Sequence, residues 1–223
     1  MNWRIKRYGL VSSTQEIALG LIAEGAEVGT VVLAESQSKG RGRYGRTWIS
    51  PAGGLYVSVI LPKDPLLAVR VAVSVADALR GCSVRAAIKW PNDLMVADRK
   101  IAGIIIDNRE EYAVVGIGVN MENAPLSTST CTSSECVRPV KRDRLLDSIL
   151  EELSQSLPAY QLREMYVRLC TTIGKRVLVR NPYGDAHEAI VGTAIDVDQL
   201  GRLIVEVSGA KRMVASGSCT HLD

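Results

Sequence analysis

Apolar residues recur along this chain at two periods, and the switches between them mark its elements. After Ser12-Ser13-Thr14, the residues Ile17, Ala18, Leu21 and Ile22 fall at helical spacing. A hydroxyl residue sits where an N-cap belongs, so a helix is expected over residues 15–23, ended by Gly25. Residues 30–35 read as a buried strand, and residues 55–61 alternate like a strand that Pro62 ends. Residues 68–79 form an apolar helix stopped by Gly81. A strand over 84–90 leads into the turn Pro91-Asn92-Asp93. Residues 94–96 and 101–106 pair as a hairpin across 97–100, and 112–119 is a further strand. Residues 125–139, rich in Ser and Thr, read as a loop, and 144–157 and 161–170 as amphipathic helices.

The pattern changes near residue 172. Beyond it come short strands at 176–179, 188–195, 203–207 and 212–215. Asn181-Pro182, Gly184-Asp185, Gly201 and Gly209 separate them as turn signals. This composition predicts a small β-barrel appended to an α+β domain.

Composition narrows the class. Of 223 residues, 47% are apolar and 23% charged, as in an ordinary globular protein. The net charge of +3 is too mild to argue for nucleic acid by itself. There is no Phe, so the core rests on Val, Ile, Leu and Ala. No apolar run approaches the ~20 residues of a membrane span, and the charged start lacks the apolar stretch of a signal peptide. Five scattered cysteines give neither a disulfide framework nor a zinc pattern, so no metal site is expected. Reduced thiols and a cytoplasmic location are expected.

The densest chemistry is Gly40-Arg41-Gly42-Arg43-Tyr44-Gly45-Arg46-Thr47-Trp48. Glycine lets a backbone approach a ligand, and arginine presents a planar fork to carboxylate or phosphate. By letter the run imitates both the dinucleotide fingerprint and the P-loop. Each of those must open a helix, and the extended Thr47-Trp48-Ile49-Ser50-Pro51 follows here instead. A basic surface loop, touching nucleic acid, would account for the arginines but not for the tryptophan before a Pro-Gly-Gly turn. A second group favours a ligand loop: Lys89-Trp90-Pro91-Asn92-Asp93, then Lys100, then Gly116-Ile117-Gly118-Val119-Asn120, all at strand ends that could converge.

At these residues the chain closely resembles the biotin protein ligases. The matching segments are Ser13-Thr14, Gln37 with Gly40 to Trp48, Lys89 to Asp93, Arg99 to Gly103 and Gly116 to Asn120, in order over about residues 10–120. The resemblance implies a class II synthetase-like α+β fold with a central mixed or antiparallel sheet, and a C-terminal SH3-like barrel. Catalytic and C-terminal domains would span 1–171 and 172–223.

It also implies a reaction in two half-steps. The carboxylate of biotin attacks the α-phosphate of ATP, giving biotinyl-5′-AMP, and a lysine of a biotin carboxyl carrier protein then attacks the acyl-adenylate. Mg2+ accompanies the ATP. By resemblance Arg43, Lys100 and Lys89 are catalytic. Ser13, Thr14, Gln15, Gln37, Gly40, Arg41, Gly42, Arg43, Trp48, Lys100, Gly103 and Gly116 contact biotin. Arg41, Arg43, Arg46, Trp48, Lys89, Asn92, Lys100 and Asn120 contact ATP, Asn120 at the adenine.

No nucleophile is required from the enzyme, so His187 and His221 are expected to be structural or solvated. The loop, residues 39–47, is expected to be weakly ordered without ligand and to close over the adenylate, excluding water. The chain departs from the family's pattern at Gln15, where many relatives have Asn, and at Asp107, where relatives often carry Glu. The catalytic segment begins by about residue 5, which implies a ligase without a DNA-binding domain. A homodimer is plausible. The nearest rival is a lipoate ligase or octanoyl transferase of similar fold, and a more distant one a basic RNA-binding module.

Overall fold

The computed structural model describes residues 1–181 and 189–222. Pro182, Tyr183, Gly184-Asp185, His187 and the expected strand start at Glu188 lie outside the described residues.

A seven-stranded mixed sheet forms the larger part. In chain order its strands are β1 (Arg4–Val11), β2 (Thr30–Gln37), β3 (Leu55–Pro62), β4 (Ala87–Lys89), β5 (Asp93–Val96), β6 (Arg99–Asn108) and β7 (Tyr112–Val119). Across the sheet the order is β1-β2-β3-β7-β6-β5-β4. β1 runs parallel to β2, and all the other pairs are antiparallel.

The helices are α1 (Thr14–Ala23), α2 (Leu67–Gly81), α3 (Thr132–Glu135), α4 (Arg142–Ser154) and α5 (Ala159–Leu169). Val31, Leu33, Val57 and Val59 point from the sheet into one apolar cluster with α2, α4 and α5. Val32, Ile60 and Val114 point the other way, onto Ala18 of α1. This is the period-2 alternation of a sheet covered on both faces.

Strand β1 has no counterpart among the expected elements. Its residues are mostly exposed, with Arg4, Lys6 and Arg7 masking any apolar alternation. It is an edge strand held by its backbone pairing to β2, a type of strand that carries charge rather than apolar surface. Helix α2 was expected to stop at Gly81; the left-handed residue is Ser83, φ 66°, whose N–H donates to Arg80 O at 2.9 Å. The β5–β6 hairpin is tighter than expected. Val96 pairs with Arg99, leaving Ala97-Asp98 at the tip and Lys100 inside the strand.

The C-terminal strands are β8 (Arg176–Arg180), β9 (Ile190–Val197), β10 (Leu203–Val207), β11 (Ala210–Val214) and β12 (Ser218–His221). They form an antiparallel sheet in the order β11-β10-β9-β8-β12, and β12 is a strand the pattern did not announce. The barrel is not closed: among the described residues β11 and β12 remain the two edges. Val177, Val179, Leu203 and Val205 of this sheet join the same apolar cluster as α2 and α5. The indole Nε1 of Trp90 donates to Gly201 O at 2.9 Å, and its backbone N–H to Thr172 Oγ1 at 3.0 Å. His221 Nε2 shares that Thr172 hydroxyl at 3.0 Å, a structural position.

Candidate active site

A cavity of about 220 Å³ opens on the α1 face of the large sheet. One end of it is built by the start of α1. Ser13 caps the helix by accepting from Gln15 N at 3.3 Å, which places Thr14 and Gln15 on the cavity wall. Gln37, the last residue of β2, accepts at Oε1 from Thr14 N at 2.8 Å and Thr14 Oγ1 at 3.1 Å. Its Nε2 donates to Ser50 Oγ at 2.8 Å, and that hydroxyl to Trp48 O at 2.9 Å. Both ends of the Gln37 amide are therefore assigned by partners.

Ser58 of β3 completes this end. It is fully buried, and its Oγ lies 2.9 Å from both Thr14 Oγ1 and Gln15 Oε1. Sequence reasoning missed it. The available signal was a hydroxyl inside the run Leu55-Tyr56-Val57-Ser58-Val59-Ile60-Leu61, where burial without a partner would be costly.

The loop 40–48 folds back on itself as a narrow hairpin. Trp48 N donates to Gly40 O at 2.9 Å and Gly42 N to Arg46 O at 2.7 Å. The tip needs positive φ at Tyr44, 60°, and at Gly45, 70°. Gly40 does not line the cavity. A Cβ there would come 2.3 Å from Trp48 O, so this glycine lets the two arms of the hairpin meet. The indole of Trp48 then lies on the sheet over the paired Gly103 and Gly118. Gly116 performs the same service for Gln15, since a Cβ there would stand 2.7 Å from Gln15 Oε1. The cavity floor is glycine because two side chains lie flat on it.

The cationic end is made by Arg43 and Lys100. Arg43 donates to Asn92 Oδ1 at 2.9 Å and to Tyr44 OH at 2.5 Å. Asn92 is oriented for this by donating its own amide to Ile104 O at 2.8 Å. Burial lowers the pKa of the Arg43 guanidinium, while the Tyr44 phenol and Asp93 act in the opposite sense.

Lys100 pairs with Asp93 at 2.7 Å and stands 5.2 Å from the Trp48 ring centre. Strict alternation would put residues 100 and 103 on opposite faces of β6. A register shift beside Leu94 and Met95 leaves one extra residue in β6 and returns Lys100 to the Gly103 face. Asp93, given no role on sequence grounds, is thus the carboxylate that holds this lysine. Arg41 and Arg46 are exposed lining residues at the mouth.

Besides Gly40, two residues expected at ATP do not line this cavity. Lys89 ends β4 and does not line the cavity; its charge acts instead on the thiol of Cys219, drawing its pKa down against burial. Asn120 is buried, with its amide donating to Thr130 O at 3.0 Å and Lys100 O at 3.4 Å. It ties the loop after β7 to the strand that carries Lys100, and it too is absent from the cavity wall.

Fold and cavity together define an α+β domain with a hydrogen-bonding pocket, a glycine floor and a cationic loop above it. The chain belongs to the biotin/lipoate A/B protein ligase family, whose model matches residues 9–120. A second model, the biotin protein ligase C terminal domain, matches residues 172–222. The chain is 33% identical over 94% of its length to the biotin–[acetyl-CoA-carboxylase] ligase of Mycobacterium tuberculosis, covering 86% of that protein. It is 28% identical to the enzyme of the same name from Paracoccus denitrificans, over 91% of this chain and 94% of that one. Among solved structures, the biotin protein ligase of Aquifex aeolicus in complex with biotin and ATP superposes with a TM-score of 0.83 at 24% identity, covering 97% of each chain. That likeness establishes the fold.

Proposed function

We propose that this protein joins biotin to a lysine of a carboxylase carrier protein, through biotinyl-5′-AMP. The observation that carries the reading is the pairing of two unlike ends in one cavity. Gln15, Gln37, Thr14 and Ser58 offer fixed acceptors and hydroxyls, which suit the N–H and C=O groups of a cyclic urea. Lipoate's dithiolane ring has no such groups, so this end favours biotin over lipoate. Arg43 and Lys100 offer cations where a carboxylate and a phosphate must meet.

In the first half-step a carboxylate oxygen of biotin forms a bond to the α-phosphorus of ATP, and pyrophosphate leaves. Arg43 and Lys100 offset the repulsion between the two anions and hold the charge that develops between them. Arg41 and Arg46 stand where the leaving polyphosphate would pass. Mg2+ enters as part of the nucleotide substrate, with phosphates and water supplying most of its ligands. Trp48 covers the acyl chain and keeps water from the mixed anhydride. In the second half-step the carrier lysine attacks the acyl carbon and AMP departs, leaving an amide. The enzyme supplies positioning and charge rather than a nucleophile.

On this reading Lys89 and Asn120 support the site from outside it. Residues 1–171 form the catalytic domain and 172–223 the C-terminal one. Cytoplasmic residence, a homodimer and the absence of DNA binding belong to the same proposal. No helix among the described residues is long and apolar enough to cross a membrane.

The test uses purified protein, Mg·ATP, a biotin carboxyl carrier domain and either biotin or lipoate. Biotin-dependent pyrophosphate release and a mass gain on one carrier lysine are expected. Transfer of lipoate but not biotin would overturn the reading.

A further inference from the structure

Gln15 has one orientation available to it. Its Nε2 donates to Asp107 Oδ2 at 3.1 Å and to Val114 O at 2.9 Å. Both partners are acceptors only, so a flipped amide would set its oxygen against a carboxylate and a carbonyl at once. The oxygen Oε1 is thereby turned to the other side, toward Ser58 Oγ at 2.9 Å and over the backbone of Gly116. Gln15 and Ser58 both line the cavity, whereas Asp107 does not. A carbonyl oxygen has two lone pairs, and the single Ser58 proton occupies at most one of them.

From this geometry we infer that Asp107 is a positioning residue for biotin recognition. With Val114 O, it fixes the Gln15 amide so that a carbonyl oxygen, and not the NH2, faces the ligand. The cavity then presents Gln15 Oε1 as a fixed acceptor with a lone pair to spare, which selects a ligand with an N–H donor, whereas Gln37 Oε1 already accepts from Thr14 N and Thr14 Oγ1. Asp107 acts from the far side of Gln15, at the end of β6, and touches neither ATP nor the reacting carboxylate.

This rests on the biotin-ligase reading, and the experiment separates the two. Steady-state formation of biotinyl-AMP is measured for wild type, Asp107→Leu and Asp107→Asn, varying biotin and ATP in turn, with thermal melts alongside. Asp107→Leu removes one of the two acceptors and leaves Val114 O alone to hold the Gln15 amide, which loosens its orientation. Its KM for biotin is expected to rise about tenfold, the scale of one neutral hydrogen bond, with kcat and the KM for ATP held within about twofold. Asp107→Asn can still offer a carbonyl to Gln15 and is expected to restore the biotin KM to within about threefold of wild type. Should leucine prevent folding, Asp107→Ser, too short to reach, carries the same expectation.

An unchanged biotin KM in Asp107→Leu overturns the inference. So does a parallel rise of the biotin and ATP KM values, which marks a merely structural role, or a failure of Asp107→Asn to rescue. A wild-type protein that forms no biotinyl-AMP sinks the ligase reading itself.

Discussion

Trp48 lies directly against the backbone of Gly118: a Cβ at that glycine would stand 2.5 Å from Trp48 Nε1. Gly118 sits in β7, paired on one side with Tyr56 and on the other with Gly103, so the strand cannot move aside. The indole must move instead. Gly118→Ala is expected to raise the biotin KM by about tenfold or more, and to shorten the lifetime of enzyme-bound biotinyl-AMP as its cover lifts. Hydrolysis of the preformed adenylate, followed by mass spectrometry, gives the second number.

Lys100 is held by Asp93 on the floor beside that indole. Lys100→Met keeps most of the side-chain volume and removes the charge. The rate of adenylate formation is expected to fall by roughly two decades, the usual cost of one preorganised charge-stabilising group. Single-turnover pyrophosphate release measures it. Biotin binding by calorimetry should change less, because the charge counts most where carboxylate and phosphate are brought together.

Trp90 is a structural tryptophan, only 2% exposed, and it bridges the two sheets through Gly201 O. Trp90→Phe leaves that carbonyl without its donor. A loss of about 1–3 kcal/mol in unfolding free energy is expected, read from urea titration. A cost near zero would mean that water replaces the indole at Gly201.

Burial pushes the Cys219 thiol from an ordinary 9.0 up to about 11, against the opposing pull of Lys89. The unfolded chain therefore gives up this proton before the native state does. Between those two values the unfolded state binds fewer protons, so stability falls as pH rises. Cys219→Ser removes the titration. The drop in urea midpoint between about pH 8 and about pH 10.5 should be smaller in the serine variant than in wild type. At neutral pH the native thiol should also resist alkylation, since the thiolate is the reactive form.

Much of the fold was legible because its strongest elements are locally consistent. Residues 55–61, 112–119 and 203–207 are short apolar runs bounded by turn residues, and each is a strand. What escaped was structure that owes little to its own sequence. β1 is an exposed edge, and β12 is four residues long; each exists because a neighbour offers hydrogen bonds. In the site, the loop 40–48 and Lys100 stood out because glycine and charge are dear within or beside strands. Ser58 did not, and Asp107 stood out only as a departure from the Glu of many relatives, because each is an ordinary residue whose importance comes from what the fold places beside it.

The sequence by itself determined the family, the run of strands and helices, and the residue types that meet anions. The glycines at 103, 116 and 118 were visible as letters, but their purpose was not. Tertiary structure decided that two of them carry an indole and the third an amide. It also decided that an extra residue in β6 turns Lys100 to the cavity, while Lys89 and Asn120 fall outside it. The physical reason is that composition and period fix which face is apolar, whereas register and close backbone approach fix which polar atoms meet. Those are set between strands far apart in the chain, and no local window of sequence contains them.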